Sequence, residues 1–154
     1  MMTLCSEVLK ALDGRTLVTA ESCTGGGIGA ALTAVAGSSK VYKGGIISYT
    51  NWVKHHALGV DLALLDRVGA VSAPVAEAMA VGARKCLQAD VSVSVTGLAG
   101  PDGDAFGNPV GTVFIGYCDE NRTVSREFHF LGDREAVRTQ TIQAALELLL
   151  LYNA

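Results

Sequence analysis

The chain has 154 residues, 49% of them hydrophobic and 18% charged, with a net charge of −3. That much apolar material excludes a disordered chain and suffices for the core of one domain spanning 1–154. No apolar run approaches the ~20 residues that cross a bilayer, and Lys and Arg form no basic stripe, so neither a membrane nor a nucleic acid is expected as a partner.

Leu4, Val8, Ala11 and Leu12 share one helical face before Gly14 stops the pattern. Thr16 to Ala20 reads as a strand that runs into the glycine-rich turn Glu21-Ser22-Cys23-Thr24-Gly25-Gly26-Gly27, and Ile28, Leu32 and Val35 then follow at helical spacing. Gly37-Ser38-Ser39 breaks that helix. Gly45 to Thr50 reads as a second strand, followed by a polar helix from Asn51 with Lys54, His55 and His56, and a short helical piece from Asp61 to Arg67. Ser72 and Pro74 open a longer helix with Val75, Met79, Ala83 and Cys86 on its apolar face. Val91, Val93 and Val95 alternate with Ser92, Ser94 and Thr96, the period of a half-buried strand, and Gly97 to Asp104 is too rich in turn formers to be anything but loop. Val110–Cys118 and Thr123–Phe130 form a hairpin about Asp119–Arg122, and Asp133 caps a last helix whose Val137, Ile142, Leu146, Leu149 and Leu150 face inward. The order α-β-α-β-α-α-β-β-β-α predicts an α/β fold, a mixed sheet with helices on both faces.

Cys5, Cys23, Cys86 and Cys118 are widely spaced, and no basic-then-apolar leader is visible at the N-terminus, so they read as reduced cytoplasmic thiols. His55, His56 and His129 lack ligand spacing, so no metal and no cofactor is expected. The two glycine loops follow strands, where open α/β sheets bind ligands, and the first opens a helix whose free N–H groups suit an anion; tight helix–strand packing is the alternative. Neither the P-loop nor the dinucleotide pattern is present. Ser22, Ser38 and Ser39 are loop serines, and Tyr49 and Lys54 follow the second strand. A lysine desolvated in a cleft can act as a base towards a serine hydroxyl, with Tyr49 relaying the proton or holding the lysine, although lysines are more often solvated. A Ser-His-Asp arrangement lacks the hydrolase elbow, and Cys23 reads as a structural thiol. Arg134 and Arg138 share a helical face and suit either a phosphate or nearby acids such as Asp133 and Glu135.

Several spaced segments together resemble one family. They are Ala20–Gly26, Ala36–Ser39, Ser48–Asn51 with Lys54, Gly69–Ser72, Thr96–Gly103, Pro109–Val113 and Gly132–Arg134. Their order resembles the C-terminal domain of the competence/damage-inducible protein CinA, over almost the whole chain. The resemblance implies a three-layer α/β/α sandwich and, from stand-alone members, an amidase that converts nicotinamide mononucleotide to nicotinate mononucleotide and ammonia by a Ser/Lys mechanism without metal. It implies Lys54 as general base, Tyr49 as its assistant and Ser39 ahead of Ser22 as nucleophile. Glu21, Thr24, Gly25, Gly26 and Ser38 are then expected about the substrate, with the N–H groups near Gly25 and Gly26 meeting an oxyanion or phosphate. Thr96, Gly97 and Gly100 line the site, and Arg134, ahead of Arg138, meets the anion. The expected partners are a small nucleotide substrate and a second copy of the chain, as a homodimer or higher homo-oligomer. The alternative is a non-catalytic interaction module in competence or DNA damage. The stretch Asp104-Ala105-Phe106-Gly107 departs from the more glycine- or charge-rich loop of relatives.

Overall fold

The computed structural model describes residues 1–154. In chain order the elements are α1 (Met2–Ala11), β1 (Leu17–Glu21), α2 (Gly27–Thr33), a 3-10 turn (Ser38–Lys40), β2 (Tyr42–Ile47), α3 (Asn51–Leu58), α4 (Leu62–Val68), α5 (Ala73–Cys86), β3 (Val91–Gly97), β4 (Thr112–Cys118), β5 (Thr123–His129) and α6 (Arg134–Asn153). One mixed sheet runs β2-β1-β3-β4-β5, with β1 parallel to β2 and β3 and with β4 and β5 as an antiparallel hairpin. The larger apolar cluster joins α1, α2 and α6 to one face, through Val8, Ile28, Val93, Leu146 and Leu149. A smaller one joins α3, α4 and α5 to the other, through Val18, Leu58, Leu65 and Met79. This is the three-layer α/β/α sandwich. From β1 the chain steps one way to β2 and then back past β1 to β3, so the sheet has a switch point at the carboxyl end of β1.

Three details differ from the sequence expectation. Between β2 and β3 stand the three helical segments read from Asn51, Asp61 and Ser72, one more than the ten-element order counts. Strand β2 runs Tyr42–Ile47 where the sequence predicts Gly45 to Thr50, and Gly45 within it has no room for a Cβ, which would collide with the Thr19 side chain and the Tyr42 hydroxyl. Cys86 is exposed, in the last turn of α5.

The alternation in β3 points to one solvated face, yet both faces are buried. Val91, Val93 and Val95 join the larger cluster, and the hydroxyl groups of the other face bond to carbonyls of the packed helix layer. Ser92 Oγ donates to the Ala80 carbonyl (2.6 Å), Ser94 Oγ to that of Ala76 (2.5 Å) and Thr96 Oγ1 to that of Ala70 (2.9 Å). Small polar residues therefore let α5 sit close to the sheet without leaving an unpaired hydroxyl.

Close approach also makes Gly82, inside α5, a packing residue: a Cβ there would strike the Leu58 carbonyl at the end of α3. Helix propensity alone favours Gly82→Ala by about 1 kcal/mol. A rigid backbone oxygen cannot yield as a side chain does, so the clash wins. Urea unfolding of Gly82→Ala is expected to show a net loss of about 1–3 kcal/mol; a gain would contradict the α3–α5 packing.

Candidate active site

The ends of three parallel strands build the site. Beyond β1, the Ser22 N–H donates to the Val95 carbonyl of β3 (3.1 Å). Beyond β2, the Ser48 N–H donates to the Glu21 carbonyl (2.7 Å). Thr50 caps α3 by accepting from the Val53 N–H (3.4 Å), which puts Lys54 in the second half of the first turn. Side chains of a helix lean towards its N-terminus, so Lys54 reaches back to the strand ends.

Lys54 is 2% exposed. Its Nζ lies 2.9 Å from Ser22 Oγ, 2.8 Å from the Ser48 carbonyl oxygen and 3.3 Å from that of Tyr49. Burial disfavours the charged amine and lowers its pKa from 10.5 to about 8, and the nearby Cys23 opposes the fall. In the neutral form two N–H groups serve the two carbonyls, and the lone pair faces the Ser22 hydroxyl, which then donates to Nζ. The geometry therefore holds a serine hydroxyl and a lysine amine of lowered pKa in contact. Cys23 lines the same space, but burial pushes its thiol up to about 11, so it stays protonated.

A cavity of about 310 Å³ opens over this pair. Tyr49, Thr50 and Asn51 form one wall, Ala70 and Val71 another, and Thr96 to Gly100 a third, with Asp102 and Arg134 completing the lining. Arg134 donates from Nη1 to the Gly100 carbonyl (2.6 Å) and from Nη2 to the Tyr49 hydroxyl (3.1 Å). Tyr49 thus holds Lys54 through its main-chain carbonyl, while its phenol belongs to Arg134; the proton relay through that hydroxyl is not assembled.

Several expected site residues lie elsewhere. Ser39 is exposed on the 3-10 turn before β2, whereas Lys54 lies beyond the opposite end of that strand. A strand of six residues keeps them apart by roughly 20 Å of rise. Ser38, beside Ser39, is buried there and equally remote. The start of α2 offers no free anion site, because the Glu21 carboxylate occupies it. Its Oε1 accepts from Thr24 Oγ1 (2.6 Å) and the Ile28 N–H (2.9 Å), and its Oε2 accepts from the Gly29 N–H (3.0 Å). Arg138 is similarly committed: Nε donates to the Cys23 carbonyl (3.0 Å) and Nη2 to that of Thr24 (3.1 Å). Glu21, Thr24, Gly25, Gly26 and Arg138 therefore fix the loop that carries Ser22 and do not line the cavity. His55 bonds to the Val60 carbonyl and His56 stacks on Trp52, so no histidine enters the site. No three His, Cys, Asp or Glu side chains cluster closely enough to hold a metal.

Sequence reasoning passed over Ser48, Asn51 and Asp102. Ser48 acts through its carbonyl, which no residue-type pattern marks. Asn51 and Asp102 looked like ordinary helix-start and turn residues.

Residues 2–152 match the CinA C-terminal domain family, and the chain belongs to it. It is 50% identical over 134 residues to the nicotinamide-nucleotide amidohydrolase PncC of Pseudomonas putida, spanning 87% of this chain and 84% of that protein. It is 49% identical over 140 residues to a CinA-like protein of Citrifermentans bemidjiense, but spans only 34% of that longer protein. Among solved structures, the competence/damage-inducible protein CihA of Agrobacterium tumefaciens superposes with a TM-score of 0.95 at 38% identity, covering 99% of this chain and 95% of that one. A CinA superfamily protein of Klebsiella pneumoniae gives 0.95 at 34% identity, over 97% and 95% of the two chains.

The bracing role of Glu21 has a measurable consequence. Glu21→Leu leaves two buried N–H groups and one hydroxyl without acceptors, each worth about 1–3 kcal/mol. Thermal or urea unfolding is expected to show a loss of at least about 2 kcal/mol, against little change for the exposed Glu127→Gln.

Proposed function

We propose that the chain is a Ser/Lys amidohydrolase acting on nicotinamide mononucleotide, releasing ammonia and nicotinate mononucleotide. The observation that carries the mechanism is the 2.9 Å contact between a buried, charge-destabilised Lys54 and Ser22 at the floor of a cavity. The choice of substrate is supported by the Pseudomonas relative, whose name states that activity and which aligns with most of this chain. No zinc-ligand cluster or histidine competes for the role of base.

In the proposed reaction, neutral Lys54 takes the Ser22 proton as Oγ attacks the carboxamide carbon. The tetrahedral intermediate collapses as Lys54 returns the proton to the departing nitrogen, giving ammonia and an acyl-serine. Water, deprotonated by the same amine, then attacks the ester carbonyl and frees the carboxylate and Ser22. The Cys23 N–H, next after the nucleophile, makes no other hydrogen bond and is the natural donor to the oxyanion. Arg134, at the cavity mouth, suits the nucleotide phosphate. The four cysteines are all free, which suits the reducing cytoplasm expected for this activity.

Ammonia release from nicotinamide mononucleotide tests this reading. Ser22→Ala and Lys54→Met, the latter close in volume to lysine, are each expected to lower kcat/KM about a thousandfold or more. Ser39→Ala and Cys23→Ala are expected to stay within about threefold of the parent. A folded, active Lys54→Met protein would sink the dyad, and a folded parent that releases no ammonia would favour a binding module.

Activity should also rise with pH. The base works only as the free amine, and with a pKa of about 8 only about one-tenth of the molecules hold it at pH 7. The kcat/KM profile is therefore expected to climb through an ascending limb near pH 8 and level off above it. A profile flat from pH 6 to 10 would contradict Lys54 as base.

A further inference from the structure

Tyr49 is 56% exposed, an unusual setting for a ring whose two ends are both fastened. At its main-chain end the carbonyl holds Lys54 Nζ at 3.3 Å; at its far end the hydroxyl accepts from Arg134 Nη2 at 3.1 Å. The residue thus bridges the two ends of the cavity, from the reactive pair to the cation at the mouth. The part of a substrate that joins a scissile amide at Ser22 to an anion at Arg134 must pass the phenol ring. Tyr49 is also the only aromatic residue that lines the cavity. Its π-face is vacant: the rings of Tyr117 and Tyr152 carry Arg122, and Trp52 is stacked on His56, but no cation or ring lies over Tyr49.

The charges of the lining are uneven. Arg134 is partnered by the Gly100 carbonyl and the Tyr49 hydroxyl, and Lys54 by Ser22 and two carbonyls. Asp102 lines the same cavity as its one carboxylate and makes no hydrogen bond or ion pair. An open π-face and an unpaired carboxylate both attract positive charge; a flat cation gains from both, whereas a neutral ring can stack on the phenol but gains nothing from the carboxylate.

We propose that Tyr49 and Asp102 form a recognition surface for a flat cationic heteroaromatic ring, so that the site selects the positively charged pyridinium over an uncharged ring of the same shape. The amidase reading supplies the ligand; the recognition surface itself does not depend on turnover. With Arg134 at the anionic group, the site is complementary to a zwitterion. The constrained phenol adds to this, since its ring is already ordered before the ligand arrives.

The test measures binding and hydrolysis separately. Calorimetric affinities for nicotinamide mononucleotide and for its reduced dihydropyridine form, which differ in ring charge, are compared on the full chain carrying Ser22→Ala. An affinity ratio of about tenfold in favour of the cation is expected. Adding Tyr49→Phe, which keeps the ring and loses the hydroxyl, should preserve the ratio even where both affinities fall. Tyr49→Leu, which leaves Asp102 in place, should reduce it to about threefold, and Asp102→Asn, at an exposed site, should likewise reduce it by about threefold. Equal affinities before any change at Tyr49, no binding of either nucleotide, or the same loss for both on Tyr49→Leu would each overturn the proposal. Ammonia release by the parent is scored independently. Absence of release with the ratio intact would defeat the amidase reading alone, and release without the ratio would defeat the recognition surface alone.

Discussion

Withdrawing an amine from water costs several kcal/mol unless hydrogen bonds replace its hydration, and the arrangement around Lys54 answers that cost. Its three Nζ partners come from two strand ends: Ser22 beyond β1, and the carbonyls of Ser48 and Tyr49 beyond β2. Those carbonyls are available because β2 stops at Ile47 and the chain turns into α3, leaving them outside the sheet ladder. The same burial that must be offset also draws the pKa towards neutrality, so the stability cost and the lowered pKa of the lysine have one cause.

The Lys54–Ser22 contact lasts only if both groups stay within hydrogen-bond reach, and the loop carrying Ser22 is rich in glycine and intrinsically loose. Two charged side chains stiffen it from opposite sides. The Glu21 carboxylate fastens it to the first turn of α2, and the Arg138 guanidinium, projecting from α6, holds the Cys23 and Thr24 carbonyls. Gly27 completes the arrangement, since a Cβ there would meet the Ile142 side chain of α6 at 2.5 Å. The last helix thereby serves both ends of the site: Arg138 braces the Ser22 loop and Arg134, one turn earlier, reaches the cavity mouth.

The hydroxyl-lined face of β3 shows the same economy on a larger scale. Ser92, Ser94 and Thr96 satisfy helix-layer carbonyls in a space too thin for larger side chains, and Gly116 beside Ser94 has no room for a Cβ against Ala76. The close layer brings Ala70 and Val71 over the strand ends, where they wall the cavity. Polar residues at those positions are thus part of the packing that shapes the site.

Local pattern was enough to read the elements and their layering. Helical and alternating periods, the glycine turn after β1 and the Asp133 cap are properties of neighbouring residues, and they located six helices, five strands and a mixed sheet covered on both faces. The spaced segments also marked Ser22, Tyr49, Lys54, Thr96 and Arg134, which the structure gathers about one cavity. Which serine meets the lysine was beyond that reading, because Ser22 and Ser39 both sit in small-residue turns next to helices, and only the direction of β2 puts one beside Lys54 and the other at the far end. The same limit explains Glu21 and Arg138: an acid and an arginine near a glycine loop suit a ligand as well as a brace, and only the finished fold shows their hydrogen bonds already taken by the chain itself. Composition and periodicity determine what a segment becomes; long-range contacts decide which of its polar groups remain free to act.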